Sequence, residues 1–184
     1  MATSIKALLN EADAVLHFNG QRFDEPVINT AILEAELTPP SPYKRIDLYR
    51  VVRTRFAFMS NSLGYVTRQL GTSGKLSHEG FNLWVRVLAD DPDAQREMEE
   101  YNRADVLANE ALYRRLLPWI DQHPNGNVFD SVEACPVCGS LNLVKRGFAR
   151  TQVRVYQRFV CSDCGKWSRS GKSVGSVDIR EVAA

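Results

Sequence analysis

Two rhythms of apolar positions run along the chain, a helical one over most of its length and a two-residue alternation near its end. Residues 4–12, SIKALLNEA, predict a short helix that Ser4 caps, and residues 14–18, AVLHF, a buried strand. Asn19 and Gly20 then supply a turn, and Asp24 stands where it would cap a helix opened by Pro26 and running through VINTAILEAEL. The Pro-rich TPPSPYKR closes that helix, and IDLYRVVRTRF predicts the next. Ser60 and Ser62 precede the helical SLGYVTRQL, which stops at Gly71, and a further helix, HEGFNLWVRVLA, starts from Ser77. Asp91-Pro92-Asp93 ends it and begins DAQREMEE.

That last helix leads into YNRADVLANEALYRRLL, residues 101–117. At 100° per residue, Val106, Leu112, Tyr113, Leu116 and Leu117 share one arc, with Arg103, Glu110 and Arg114 opposite. Asp105 falls inside the apolar arc, one turn after Tyr101. An inward carboxylate needs a partner, because an unpaired buried charge is costly. An arginine, a helix N-terminus or a metal ion would each serve. Pro118 ends or kinks the helix, and DQHPNGN is a linker.

The alternating stretch lies between two Cys-x2-Cys knuckles, Cys135/Cys138 and Cys161/Cys164, each followed by glycine. Four thiolates from two tight turns suit a tetrahedral structural zinc, with a redox or disulfide pair as the alternative. NLVKRGF and QVRVYQRFV predict paired strands, with Arg154, Tyr156 and Arg158 on one face and Val153, Val155 and Phe159 on the other. Lys145, Arg146, Arg150, Lys166, Trp167 and Arg169 are near in sequence. Cations interleaved with aromatics suit nucleic acid, phosphates on the cations and bases on Tyr156 or Trp167; a protein-docking module is the alternative.

Composition sharpens this division. Of 184 residues, 44% are apolar and 24% charged, which fits one ordinary domain plus a small one. Residues 1–132 carry 14 Lys and Arg against 18 Asp and Glu, whereas residues 133–184 carry 9 against 4, so the basic charge sits in the cysteine-bearing part. The lack of a long apolar run or a basic, apolar leader predicts a cytoplasmic protein without membrane contact. Lys44, Arg45, Arg50, Arg53 and Arg55 form a second basic cluster, a solvated face or a phosphate track. GTSGKLS is a turn, since Gln69 and Leu76 occupy positions where a phosphate loop needs glycine and a hydroxyl. His17, His78 and His123 have no neighbour at ligand spacing and read as ordinary histidines.

With these residues in view, the body resembles a DnaQ-like 3′-5′ exonuclease of the RNase H-like superfamily, the DEDD type in its Tyr-bearing subclass (DEDDy). HFNGQRFDEP resembles the second exonuclease motif, with Asn19 near a strand end and Asp24 as its carboxylate. YNRADV resembles the third, Tyr-x3-Asp, matched by Tyr101 and Asp105. The order KRIDLYRVV, NSLGYVTRQLG, EEYNRADV, LLPWIDQHPN and then a zinc ribbon is similar to phage-encoded exonucleases, a likeness covering nearly the whole chain. In that family four carboxylates hold two divalent ions about 4 Å apart for phosphodiester hydrolysis. The resemblance implies that Asp105 binds the magnesium or manganese ion carrying the water, that Tyr101 orients this water, that Asp24 supports the second ion, and that Asn19 lies against nucleic acid. It also implies location in the host cytoplasm. The family's first motif, Asp-x-Glu, has no counterpart before Asn19, since Glu11-Ala12-Asp13 has the reverse order at a helix end.

The expected architecture is therefore α/β: an N-terminally truncated RNase H-like exonuclease domain, mostly helical as it stands, plus a small C-terminal zinc ribbon. Residues 1–122 form the partial exonuclease-type domain, 123–132 the linker, 133–171 the ribbon and 172–184 a tail. Three functions fit. One is a downstream part of a split exonuclease, whose Asp-x-Glu comes from a second polypeptide or from an alternative upstream start. Another is a non-catalytic protein that binds nucleic acid, DNA before RNA, or recruits through its ribbon. The third is a complete nuclease that enlists Asp13 or Asp47.

Overall fold

A computed structural model describes residues 1–72, 80–130 and 132–181. It divides into two compact units, Met1–Leu116 and Leu117–Ala184. The first unit is α/β and mostly helical, and the second carries a small antiparallel sheet.

In the first unit α1 (Ala2–Glu11) leads into β1 (Ala14–His17), and α2 (Asp24–Glu34) crosses to β2 (Lys44–Asp47), which pairs with β1 in parallel. Strand β2 was not expected. Its sequence, KRID, offers only Ile46 to the core, so tertiary pairing rather than local pattern makes it a strand. The predicted helix accordingly begins later, as α3 (Leu48–Arg55), capped by the Asp47 carboxylate on the Tyr49 N–H. Two capping expectations fail. Helix α1 starts before Ser4, at Ala2, and Asp24 lies inside α2 with Phe23 in the cap position and no side-chain cap. Strand β1 is half-buried rather than buried, with Ala14 exposed.

Helix α4 (Leu63–Leu70) starts as predicted, Ser62 accepting from the Tyr65 N–H, and closes on Gly71 at φ 61°. The turn at GTSGKLS and the helix start at Ser77, with His78, fall on residues 73–79, outside the described residues. Helix α5 runs over Phe81–Leu88. It buries Leu83 against Ala94 and Met98, with Val87 and Tyr101 beside them, and leaves Phe81, Trp84, Val85 and Leu88 exposed.

Helix α6 (Pro92–Leu116) is one element of 25 residues. Pro92 fits its first position, where no N–H is needed, and Asp91 accepts from the N–H groups of Asp93 and Ala94. The Arg86 guanidinium, helped by these N–H groups, holds the Asp91 carboxyl below its usual range. Glu99–Arg103 and Glu110–Arg114 add surface pairs one turn apart. No helix among the described residues is long and apolar enough to cross a membrane.

In the second unit a 3₁₀ turn (Leu117–Trp119) and a short α7 (Asn127–Asp130) precede the sheet. Strand β3 (Leu143–Arg150) pairs antiparallel with β4 (Arg154–Cys161), with an irregularity between Lys145 and Phe148 where Gly147 takes φ 62°. Strand β4 pairs on its other side with β5 (Trp167–Arg169) and β6 (Gly175–Ser176).

Candidate active site and metal centre

The carboxyl ends of parallel strands are where α/β sheets gather functional groups. Here β1 and β2 end on His17 and Asp47, side by side in register. Asn19 follows in the left-handed region at φ 65°, and its N–H donates to Asp47 Oδ1 at 2.9 Å, the oxygen that also caps α3. The Gly20 N–H donates to His17 Nδ1 at 3.0 Å. The ring proton is thereby assigned to Nε2, which is buried without a hydrogen-bond partner among the described residues and lies 3.7 Å from Glu25. Glu25 itself receives Arg45 Nε at 2.8 and 2.9 Å. A Cβ on Gly20 would lie 2.9 Å from His17 Cβ and Cγ and 3.0 Å from Asp24 Oδ2, so glycine is what lets the Asp24 carboxylate fold over the turn. Asp24 is exposed, in the first turn of α2, and makes no hydrogen bond or ion pair among the described residues.

On α6 the inward stripe is Ala94, Met98, Tyr101, Asp105, Ala108, Leu112 and Leu116. Asp105 does lie in it, half-buried, and no arginine or helix N-terminus meets it among the described residues. Asn109, one turn on, buries its Oδ1 without a partner among them. Val106 departs from expectation: it is 66% exposed and, with Met98 and Leu107, lines an open apolar groove. Among the described residues, the four cysteines are the only set of three or more Cys, His, Asp or Glu side chains whose ligand atoms gather within 4.8 Å. Asp13 and Asp47 join no such group, and Asp47 is engaged in capping.

The cysteines fit zinc. Cys135 and Cys164 sulfurs lie 3.7 Å apart, Cys138 and Cys161 3.6 Å, and a tetrahedron with Zn–S of about 2.3 Å has edges of about 3.8 Å. The knuckles repeat one construction. The Gly139 N–H donates to Cys135 O and the Gly165 N–H to Cys161 O, with the glycines at φ 75° and 77°. The Cys135 and Cys161 N–H groups donate in turn to Ser140 O and Lys166 O. Burial opposes ionisation of the thiols, but N–H groups of Cys164 and Asp163 and the neighbouring sulfurs outweigh it at Cys161, lowered to about 7; burial keeps Cys164 well above the usual thiol range.

On the ribbon, cross-strand register puts Arg158 directly opposite Arg169, and Val160 opposite Trp167. With Arg154 and Tyr156 alternating along β4, these side chains share a face. Arg150 pairs with Val155 and so belongs to the other face. Arg158 stacks over Trp167 at 4.7 Å and Arg169 over Tyr156 at 3.8 Å. Like charges directly opposed in a sheet cost about 0.2–1 kcal/mol, whereas each stack returns about 0.5–1 kcal/mol, so the face tolerates its repulsion. Tyr156 is only 7% exposed beneath Arg169 and offers no open ring to a base; Trp167 is half-exposed.

A profile of the RNase H superfamily matches residues 1–117, nearly two thirds of the chain. The chain belongs to the RNase H superfamily. No curated protein and no solved structure matches it. For a member of the RNase H superfamily a nucleic-acid-processing role follows, and the matched residues include Asn19, Asp24, Tyr101 and Asp105. His17, expected to be an ordinary histidine, and Asp47, expected only as a substitute ligand, stand together at the strand ends of this RNase H-superfamily domain. The available signal for Asp47 was its place just before a helical run, a capping pattern.

Proposed function

We propose that the chain is a nucleic-acid-processing protein of 3′-5′ exonuclease lineage, DnaQ-like and Tyr-bearing, whose metal site is completed by Asp-x-Glu from another polypeptide. The observation that carries this reading is Asp105: a carboxylate on the inward stripe of α6, one turn after Tyr101, with no protein partner among the described residues. A fold retains such a group at a cost in stability, and a cation would balance it. Asp24, also without a partner among the described residues, folds over the turn at the end of β1.

As donors Asp24 and Asp105 suit magnesium or manganese, but they are half of the four carboxylates that hold two such ions. Such ions, when bound, supply an activated water and stabilise the leaving oxygen. The chain's own part in this reading is positional. Tyr101, in the cluster with Leu83, Ala94 and Met98, fixes its phenol one turn from Asp105, and the left-handed Asn19 turn sets the strand end against nucleic acid. The ribbon adds the grip on nucleic acid, DNA first, through Arg154, Arg158 and Trp167, with Arg150 reaching from the other face.

One observation favours a second reading, a non-catalytic binding or recruiting protein on a degenerate nuclease fold. Among the described residues no three carboxylates gather. The test is a nuclease assay on the zinc-loaded chain with 5′-labelled single-stranded and duplex DNA, in magnesium or manganese, beside Asp105→Asn. Stepwise shortening that the variant abolishes supports the nuclease reading for this chain alone. Shortening only after a polypeptide bearing Asp-x-Glu is added supports the split enzyme. Binding without shortening in either case leaves the recruiting protein.

A further inference from the structure

The ribbon face carries three arginines and two rings in an arrangement more specific than a basic patch. Arg158 and Arg169 are directly opposed, Arg154 stands about 13 Å along β4 from Arg158, and none of the three has an acidic partner among the described residues. Asp163, a nearby acid in the sequence, is turned to Ser140 and Asn142 at the knuckles. One face of each aromatic ring that a base would seek is already covered by a guanidinium group, and Tyr156 is buried besides. A guanidinium held over a ring still carries further N–H groups that can fork onto two oxygens of one phosphate. Arg158 is further fixed by its Nε–H, which donates to Arg146 O at 3.0 Å. Its orientation is therefore set before any ligand arrives.

We propose that this face holds the phosphodiester backbone of a nucleic acid through Arg154, Arg158 and Arg169 and leaves the bases unread. The proposal rests on the nucleic-acid reading above and specifies which part of the polymer is grasped. Binding is then indifferent to sequence, and the rings serve as beds for arginine. Trp167 and Tyr156 contribute by orienting charge.

The experiment compares two labelled polymers of about 20 units on the zinc-loaded full chain by fluorescence anisotropy: oligodeoxythymidine and an abasic deoxyribose-phosphate chain. Affinities within about threefold and equal salt slopes are expected. The double variant R158Q/R169Q, whose amides still pack on the rings, should lower the slope of log K against log salt by about 1.4 on both polymers. Its zinc content and far-UV spectrum check that it is folded. Abasic binding more than tenfold weaker would overturn backbone recognition while leaving the nucleic-acid reading intact. Absence of binding to either polymer would sink both. Displacement by polyglutamate as effective as by the abasic chain would make the face a docking site for acidic protein instead.

Discussion

At the level of single residues, Asp105 is where stability and the proposed metal chemistry meet. Because no cation or N–H group meets its half-buried carboxylate among the described residues, Asp105→Asn should stabilise the metal-free chain by about 1 kcal/mol, raising Tm by about 2–4 °C. A fall in Tm by calorimetry would mean that the carboxylate is already paired. Tyr156 gives a second residue-level test. Arg154 first, then Arg169, hold its phenol below the ordinary value near 10, so rising pH places a negative charge among the arginines earlier than usual. Nucleic-acid affinity should therefore begin to fall at a pH below the ordinary phenol range, and that early fall should be missing in Tyr156→Phe. The four-cysteine cluster and the inward Asp105 were legible in sequence because spacing and helical period define them. Val106 was not: the buried stripe through Asp105, Ala108, Leu112 and Leu116 is narrower than the apolar arc, and a side chain one position after Asp105 lies about 100° round the helix and passes outward.

Among elements, the unit that places the candidate site is β1, the Asn19-Gly20 turn, α2 and β2. Its helices could be read from their periods, whereas β2 could not, since half of KRID is exposed charge and its partner lies far back in the chain. Gly20→Ala tests the turn. The added methyl meets the base of the His17 side chain at 2.9 Å, which cannot swing away as a flexible tip could, so a loss of about 1–3 kcal/mol is expected from the urea midpoint. Asp47→Ala removes both the α3 cap and the acceptor of the Asn19 N–H, and should cost about 1–2 kcal/mol, with Asp47→Asn milder because its amide oxygen still accepts.

For the molecule as a whole, the two units differ in what holds them together. The first buries Leu48, Val52, Val66, Leu83, Leu112 and Leu116 in an apolar core. The second buries only Ile120, Cys135, Tyr156 and Cys161 among its described residues, too little to fold a chain of that length, whereas a structural zinc contributes on the order of 10 kcal/mol or more. Chelation should therefore melt the ribbon and abolish salt-sensitive binding while α1 to α6 keep most of the far-UV helical signal. Acid should act like chelation. The zinc-bound form needs four thiolates, protons compete for them as pH falls, and Cys161, lowered to about 7, keeps its charge to lower pH than Cys138 and Cys164, which burial raises.

The Lys166 ammonium donates to the carbonyls of Pro118 and Ile120 at 3.3 and 2.6 Å, and Ile120 is buried at 3% exposure. Whoever excises the ribbon for separate expression should therefore cut ahead of Leu117. A fragment starting at His123 would leave the lysine's two acceptors behind, strip the little apolar cover the ribbon has, and yield material that precipitates or takes up zinc poorly for reasons unrelated to its cysteines.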